Sequence, residues 1–391
     1  MEPVELSVDD LLIRPWRESD ADAVYRACQD PMIHQWTTVP SPYLPEHAAE
    51  FTGTRSPAGW QDGSSANFGV FDAGTGELLG SNGVVTIDAR TATGELGYWT
   101  APWARGRDVT VRASRAVAGW AFGTLGLERL IWQAMIGNWA SRLVGLRAGF
   151  RIEGRLRLVH PGQPGAVEGW VGSMLPSDLT DELPAGFGPD SLVARRAKVF
   201  GQPQPVLRAE APSGPITLRR PTERDLDAMV ASCRDPESVR WTTVPDPYHR
   251  SDAEWYLRHI ADQWADGAGL LCGLYDDADN YCGSFGLRLM ADPQIGDVGF
   301  LVSPWARGKG YASAAVRALC KWGFDQLDLS RIEWRAHVGN HASKRVAEKA
   351  GFVLEGTERA GCPQRGERRD SWVAALLPGD VAGQAARRIT P

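Results

Sequence analysis

The sequence predicts an α/β (α+β) protein built from two similar domains in tandem, each with a mixed, largely antiparallel sheet flanked by helices. The length of 391 residues suits two domains of ordinary size. Several segments recur about 200 residues apart in the chain. Within each copy, short apolar segments typical of strands are interspersed with longer segments of helical periodicity.

The repeat is clearest at the pentapeptide Pro-Trp-Ala-Arg-Gly, which occupies 102–106 and again 304–308, an offset of 202 residues. The same offset relates Asn138 to Asn340 and Ser141 to Ser343. Nearer the start, QWTTVPSPY and RWTTVPDPY are 205 residues apart, which indicates small loop insertions. A repeat of this length indicates a duplicated domain, because solenoid repeats are far shorter.

We expect the two domains to occupy residues 1–176 and 215–378. The segments PSDLTDELPAGFGPD and GQPQPVLRAEAPSGP are rich in proline and glycine, so 177–214 is predicted as a linker. DSLVARRAKVF, between those two segments, favours a short helix. Residues 379–391 are predicted to be a loosely ordered tail.

Each copy has the same order of elements. An early strand (LLIRPW; ITLRRP) precedes a helix (DADAVYRACQD; DLDAMVASCRD) and the Trp-Thr-Thr-Val-Pro loop. In the second copy, the helix SDAEWYLRHIADQWA leads to the strands GLLCGLYDD and YCGSFGLRL, which are joined by a turn at Asp279-Asn280. The strand GDVGFLVSP, the repeated turn and a long helix follow. The strand RIEWRAHV, a helix that ends at Gly351 and a last strand RDSWVAALL complete the copy.

The composition argues against several classes of protein. A net charge of −6 provides no basic surface for nucleic acid, so no nucleic-acid partner is expected. The six cysteines lack metal-ligand spacing, and five lie in the second half, so we expect reduced thiols and no metal site. With no apolar run of about 18 residues and no signal-peptide pattern, we expect a cytoplasmic protein without a membrane span.

The repeated turn of the second copy is suited to a phosphate or pyrophosphate group. It joins an apolar strand to a helix, whose N-terminus offers unpaired N–H groups and a positive dipole end. Gly308 and Gly310 would let the backbone approach the ligand closely, while Arg307 and Lys309 add positive charge. The alternative is an ordinary turn that uses glycine for its geometry.

This turn, Arg-x-x-Gly-x-Ala, is followed by a strand, by Asn340-x-x-Ser343 and by a helix ending at Gly351-Phe352. The combination resembles the GNAT acetyltransferase superfamily, most closely its branch of ribosomal-protein N-terminal acetyltransferases. The resemblance covers both copies. It implies an N-acetyltransferase that moves acetyl from acetyl-CoA to a primary amine by direct attack in a ternary complex.

The resemblance also implies which residues contact acetyl-CoA. The turn would hold the pyrophosphate, and the preceding strand would hold the pantetheine arm, with a splayed bulge at Gly299 freeing an N–H for the thioester oxygen. Asn340 would contact the arm, cap its own helix, or do both. The implied cofactor-binding residues are Phe300, Leu301, Val302, Arg307, Gly308, Lys309, Gly310, Tyr311, Ala312 and Asn340.

Two catalytic roles follow from the same resemblance. Ser343 would donate a hydrogen bond or proton to the departing thiolate, unless it only satisfies a backbone group in the first helical turn. Amines are protonated near pH 7, so a base is needed, and Asp297 at the head of its strand is the candidate. The alternative is an exposed acid at a strand end. His337 is a second candidate base, unless it is a packed or surface histidine.

The Trp-Thr-Thr-Val-Pro loop would line the acceptor mouth, so the implied substrate-binding residues are Trp241, Thr242, Asp246 and Tyr248. Trp36 and Tyr43 are counterparts in the first copy. The alternative is that these side chains only fix the loop to the core.

In the first copy, Asp108 replaces the glycine at 310. It adds a Cβ and a negative charge where the pyrophosphate would lie, or it caps the following helix. We therefore expect the C-terminal domain to be catalytic and the N-terminal domain to be a scaffold, in a monomer that acts as an internal pseudo-dimer.

The acceptor is expected to be a peptide or protein N-terminus, or an amino-bearing small molecule. Two alternatives stay open. One is a non-catalytic tandem protein that binds acyl-CoA with one copy and a partner with the other. The other is an antibiotic-modifying acetyltransferase with two active domains.

Overall fold

The computed structural model describes residues 1–162 and 165–381. The chain divides into two compact units, the first ending at Ala194 and the second starting at Arg195. Each unit contains a mixed eight-stranded sheet with flanking helices, so the predicted tandem α/β architecture is confirmed. Most of the predicted tail, 382–391, lies outside the described residues. No helix of the described chain is long and apolar enough to cross a membrane.

The first unit begins with a hairpin and a group of short helices, and its sheet follows. Its elements are β1 (Leu6–Val8), β2 (Leu11–Pro15), α1 (Ala21–Ala27), α2 (Pro31–Trp36), α3 (Pro45–Glu50), α4 (Ser56–Asp62), β3 (Ala66–Asp72), β4 (Leu78–Asp88), β5 (Thr93–Thr100), α5 (Val109–Gly123), β6 (Arg129–Met135), α6 (Trp139–Ala148), β7 (Arg151–Gly162) and β8 (Gly165–Met174). The strand order is β1-β2-β3-β4-β5-β6-β8-β7, and every described ladder is antiparallel except β5–β6.

The second unit repeats this order, with a single long helix where the first unit has α3 and α4. After α7 (Leu192–Phe200), which spans the division between the units, its elements are β9 (Leu207–Ala211), β10 (Gly214–Arg219), α8 (Leu226–Arg234), α9 (Pro236–Trp241), α10 (Arg250–Ala265), β11 (Gly269–Tyr275), β12 (Tyr281–Leu289), β13 (Ile295–Val302), α11 (Tyr311–Leu327), β14 (Arg331–His337), α12 (His341–Ala350), β15 (Val353–Gln364) and β16 (Glu367–Leu376). The strand order is β9 to β14 in sequence, then β16 and β15, and β13–β14 is the parallel pair.

The core of the second unit forms where α11 packs on the sheet. Val316, Leu319 and Cys320 on its inner face are fully buried. Gly323 on the same helix is required for close packing, because a Cβ there would lie 2.4 Å from Leu287 Cδ2 of β12. The helix is thereby held against β12 and β13, which fixes the position of its N-terminus at the repeated turn.

The structure corrects two predictions of chain organisation. The predicted linker 177–214 contains the expected short helix, but it also contains β9, which pairs with β10 from Leu207 to Ala211 and extends the second sheet. The segment after Gly351 is not a simple connection to one last strand, because β15 forms a twelve-residue hairpin arm against β16. β9 alternates between half-buried and exposed positions and β15 is largely exposed, so neither shows the apolar pattern of a buried strand.

Candidate active site

A cavity of about 1010 Å³ opens in the second unit beside the repeated turn. It is lined by residues from α9 and the loop that follows, from β13 and β14, and from the first turns of α11 and α12. Most of the residues predicted from sequence lie on its wall. They are Trp241, Thr242, Tyr248, Asp297, Phe300, Leu301, Val302, Arg307, Gly308, Gly310, Tyr311, Ala312, His337, Asn340 and Ser343.

The cavity exists because two neighbouring strands separate. β13 and β14 pair in parallel only from Ile295 to Asp297, although both strands continue beyond that point. The edge of β13 from Val298 to Val302 is therefore left without a partner from β14, and its backbone groups face the cavity. The predicted bulge at Gly299 is absent, because β12 and β13 pair in continuous register across it. The opening comes from divergence of the strands and not from an inserted residue.

The turn between β13 and α11 has the backbone of an anion cradle. Gly308 and Gly310 both have φ of +79°, in the left-handed region that glycine adopts without steric cost. Gly310 immediately precedes α11, so the first N–H groups of a seventeen-residue helix are available to a ligand. A Cβ at Gly310 would lie 2.7 Å from Cδ of Pro212, in the turn between β9 and β10. Glycine at this position keeps the cradle open.

The two cationic side chains of this turn do not both face the cavity. Arg307 donates to Asp235 at 2.5 Å and to the Ser238 hydroxyl at 3.2 Å. Burial favours the neutral acid, but the Arg307 guanidinium and the Ser238 hydrogen bond hold the pKa of Asp235 below its usual value. Arg307 therefore ties the turn to the N-cap of α9, and its charge is already paired. Lys309 lies outside the cavity lining, 5.7 Å from the Tyr311 ring centroid.

Asn340 and Ser343 are held at the start of α12. The Asn340 Oδ1 accepts a hydrogen bond from the Ser343 N–H at 3.1 Å, so the predicted N-cap is confirmed. The Ser343 hydroxyl accepts a hydrogen bond from the Trp334 indole at 3.2 Å. Because that bond uses a lone pair of Oγ, the hydroxyl proton is left to donate elsewhere, and Ser343 lines the cavity.

Asp297 belongs to a network of charges on the floor of the cavity. Its carboxylate accepts from Arg288 of β12 at 2.5 Å, and its side chain is only 16% exposed. The residue beside it on β14 is Glu333, which is paired in turn with Arg331 and Arg335. The candidate base is thus not the exposed strand-end acid considered above, but it does have a counter-ion.

His337 is the other candidate base, and it is 7% exposed. Its Nδ1 has no hydrogen-bond partner among the residues that the structure describes. Burial, with a smaller contribution from the positive charge of Arg369, lowers the pKa of the imidazole. The lowered pKa keeps the imidazole neutral near pH 7 on the wall of the cavity, with Nδ1 buried.

The Trp-Thr-Thr-Val-Pro loop of the second unit, which was predicted to line the acceptor mouth, is positioned by a hairpin that the sequence did not indicate. Arg365, at the tip between β15 and β16, donates to the carbonyl groups of Val239 at 2.7 Å and Val244 at 3.2 Å. Its neighbour Gln364 donates to the Arg240 carbonyl at 2.5 Å. No sequence signal pointed to Arg365, because the contacts depend on a hairpin whose first arm has no strand pattern.

Of the four predicted acceptor residues, three lie on the wall and one does not. Trp241 ends α9 and donates from its indole to Glu237 at 2.8 Å, and Thr242 follows it. Tyr248 is 6% exposed and belongs to a buried cluster with Met229 and Cys233, so it also fixes the loop to the core. Asp246 is exposed and lies outside the lining.

The first unit has a matching cavity of about 710 Å³, but its turn differs. Asp108 takes the left-handed conformation of Gly310 with φ of +55°. Its side chain does not cap α5, as one alternative expected. Instead, Arg147 Nη2 donates to Asp108 Oδ2 at 2.7 Å, and this ion pair lowers the pKa of the carboxyl group. Asp108 therefore lies where the second unit has Gly310, and its partner Arg147 lies where the second unit has Lys349.

Comparison with known proteins identifies the fold. A family profile described as "Acetyltransferase (GNAT) domain" matches residues 10–151 and 216–353, one match in each unit. The chain belongs to the GNAT acetyltransferase family. It is an acetyl-CoA-dependent N-acetyltransferase with two GNAT domains, related to ribosomal-protein acetyltransferases.

Three similar proteins illustrate the relationship. "Putative ribosomal N-acetyltransferase YdaF" of Bacillus subtilis is 32% identical over 139 residues, covering 34% of this chain and 75% of that protein. "L-amino acid N-acetyltransferase AaaT" of Escherichia coli is 29% identical over 165 residues, 41% of this chain and 98% of its own length. Among solved structures, Mycobacterium smegmatis RimJ in complex with CoA-disulfide is 18% identical with a TM-score of 0.43, covering 47% of this chain and 95% of its own.

The donor of this family, acetyl-CoA, fits the second GNAT domain better than the first. The second domain combines two left-handed glycines, a helix N-terminus and an unpaired strand edge. The first GNAT domain has the separated strands, because β5 and β6 pair only from Thr93 to Glu95, but Asp108 lies at the helix N-terminus. Ser141 is also engaged there, since the Tyr98 hydroxyl lies 3.0 Å from it, whereas the counterpart of Tyr98 is Phe300.

Proposed function

We propose that the C-terminal GNAT domain carries out acetyl transfer to a primary amine, with the amine and the donor held together in a ternary complex. The supporting observation is the open cradle at Gly308 and Gly310 on the same cavity wall as Ser343, Asp297 and His337. Bound acetyl-CoA supplies the acetyl thioester. The N-terminal domain, whose corresponding turn carries Asp108, does not bind the donor.

Different residues of the cavity bind different parts of acetyl-CoA. Backbone N–H groups of Gly308 to Ala312 bind the pyrophosphate, and the free edge from Phe300 to Val302 binds the pantetheine arm. The side chain of Asn340, which caps α12, also contacts this arm. Arg307 acts indirectly by fixing the turn to Asp235.

Proton transfer requires one acceptor and one donor. Asp297 or His337 takes the proton from the ammonium group so that the nitrogen can attack, and Ser343 gives a hydrogen bond or proton to the thiolate that leaves. Asp297 is paired with Arg288, whereas His337 has no ion-pair partner within the described chain and a lowered pKa that keeps it neutral. The pH dependence of the acetyl-transfer rate distinguishes the two bases. If His337 is the base, the rate falls as the pH drops below about 6.5, the usual pKa of histidine, and His337→Gln should remove that fall.

The acceptor is a peptide or protein N-terminus, in line with the ribosomal N-acetyltransferase named among the relatives. An amino-bearing small molecule is the second candidate, because another relative is named as acting on L-amino acids. Initial rates on a panel of N-terminal peptides and amino acids distinguish them.

The first experiment is calorimetric titration of the full chain with acetyl-CoA, alongside turnover on that panel. We expect one site per chain, lost in Gly310→Asp, which brings a Cβ to 2.7 Å from Pro212 and a negative charge to the cradle. Gly379→Asp is the control, since nothing lies within 4 Å of a Cβ there. Two sites in the unaltered chain, or one that survives in Gly310→Asp, would refute the assignment. Binding without turnover on any amine would favour a non-catalytic acyl-CoA-binding protein.

A further inference from the structure

The cavity of the N-terminal domain keeps its walls although its cradle has changed. Its volume is about 710 Å³, enough for a small organic molecule. The walls are aromatic and aliphatic, and they include Trp36, Tyr43, Leu96, Tyr98, Trp132 and Val144. A cavity with this lining favours a ligand that has an apolar body.

One carboxylate in this cavity has no counter-ion. Glu95 of β5 is half-buried and lies opposite Thr86 of β4 and Ile131 of β6, neither of which is charged. Within residues 1–162 and 165–381, no cationic side chain forms an ion pair with it. Burial raises the pKa of Glu95, and no nearby charge offsets that effect.

The equivalent carboxylate in the C-terminal domain has a cationic partner. Asp297, the counterpart of Glu95, is paired with Arg288, which occupies the position of Thr86. Arg335 on the next strand pairs with Glu333, and the residue at its place in the N-terminal domain is Gln133. The two domains thus have the same acid position, with cations around it in one domain and none in the other.

The cations that do line the N-terminal cavity are engaged or exposed. Arg105 donates to Asp30 at 2.6 Å, and Arg147 is held by Asp108. Arg55 is exposed, as is Glu50, which also lines the cavity. An anionic ligand would have to displace the chain's own carboxylates, whereas a cationic ligand would supply the missing partner of Glu95.

We propose that the N-terminal cavity is a separate binding site for a protonated primary amine with an apolar or aromatic body. Glu95 accepts charge-assisted hydrogen bonds from the ammonium group, and the aromatic walls surround the body and attract the cation. This site binds its ligand without an acyl donor. The proposal rests on the proposed function in one respect, namely that the N-terminal domain does not bind acetyl-CoA.

The test is calorimetric titration of the full chain, free of acetyl-CoA, with phenethylamine and with its neutral isostere 2-phenylethanol. We expect a binding event that weakens at least tenfold in Glu95→Gln, which keeps the shape of the side chain but removes the charge. Glu77→Gln, the same change at an exposed position, should bind as the unaltered chain does. Circular dichroism and retained acetyl-CoA affinity verify that each variant is folded.

A second variant tests the same idea without removing the acid. Thr86→Arg places on β4 the cation that the C-terminal domain has opposite its own carboxylate, and Thr86 is exposed enough to accept the longer side chain. We expect it to abolish the Glu95-dependent event by supplying an internal counter-ion. Equal binding of amine and alcohol, or amine binding unchanged in both Glu95→Gln and Thr86→Arg, would overturn the proposal.

Discussion

Replacing Asp108 by glycine should give the N-terminal domain a second site for acetyl-CoA. In the structure this carboxylate takes the backbone conformation of Gly310, at the N-terminus of α5, and is bound by Arg147. Its removal takes away a Cβ and a negative charge. It also releases Arg147, whose side chain is only 11% exposed and would need a new anionic partner. Both changes favour a pyrophosphate.

The size of the effect follows from the position of the charge. A phosphate bound at this helix N-terminus would approach the carboxylate to roughly 4 Å, where two like charges repel by about 1 kcal/mol in water and about 4 kcal/mol at an effective dielectric constant of 20. The Asp108 side chain is 48% exposed, so the effect should lie toward the lower end. An effect of about 1 to 2 kcal/mol corresponds to a gain in affinity of about five- to thirtyfold.

The assay is calorimetric titration of the full chain with acetyl-CoA, with the number of sites as the readout. Asp108→Asn removes the charge, keeps the Cβ and tolerates the left-handed backbone, so it isolates the electrostatic part. Asp108→Gly removes both the charge and the Cβ, so it should give two acetyl-CoA sites per chain. Asp9→Asn is the matched control, because Asp9 is another acid beside α5 with positive φ, paired with Arg112. If Asp108→Gly still binds at one site only, the carboxylate is not what excludes the donor.

Three further predictions concern other residues. Ser343→Ala should lower kcat by about a hundredfold with acetyl-CoA affinity unchanged, as measured by steady-state kinetics and titration, and an unaltered kcat would remove Ser343 from the mechanism. Arg365→Ala releases the Trp-Thr-Thr-Val-Pro loop from the hairpin tip, so KM for the amine should rise roughly tenfold while acetyl-CoA binding stays the same; Arg359→Ala, an exposed arginine on β15 of the same hairpin, is its control. The lowered pKa of His337 means that the folded state resists a proton that the unfolded chain accepts, so this contribution to stability is present above pH about 6.5 and is lost as the pH falls below it. His337→Gln should remove that loss in thermal unfolding measured across this range.

The parts of the fold that could be predicted are those whose sequence pattern is set by burial. β13, the glycine turn and α11 were readable because an apolar strand, two glycines and a helical apolar stripe follow one another without interruption. Asn340 was readable as a cap because its type and its spacing to Ser343 match the geometry of a helix start. In each case the local chemistry allows few other conformations.

The parts that were missed depend on backbone pairing or on side-chain partners that the sequence pattern does not reveal. β9 alternates between apolar and charged residues over only five positions within a segment rich in proline and glycine, and β15 is largely exposed. Both form strands because β10 and β16 supply backbone partners. The pairing of Arg307 with Asp235 joins residues 72 positions apart, so a basic residue that looked available for a phosphate is a structural tie. The sequence shows that the residue is basic, but it does not show that its charge is already paired.

The two GNAT domains differ in opposite ways at two equivalent positions, each of which lines the cavity of its own domain. In the first domain the Asp108–Arg147 pair lies at the helix N-terminus and Glu95 has no ion-pair partner within the described chain, whereas the second domain has Gly310 there and pairs Asp297 with Arg288. A domain that had only lost its function would not be expected to retain a cavity with an unpaired, half-buried acid, because such a charge costs stability unless a ligand offsets it. Removing that cost gives a signature independent of any ligand: the raised pKa of Glu95 predicts that Glu95→Gln is more stable than the unaltered chain above pH about 4.5, and equally stable below it. Thermal unfolding of the two chains without amine, from acidic to neutral pH, measures this difference. A pH-independent difference would mean that the carboxylate is solvated and that the cavity has no excess charge to offer an amine.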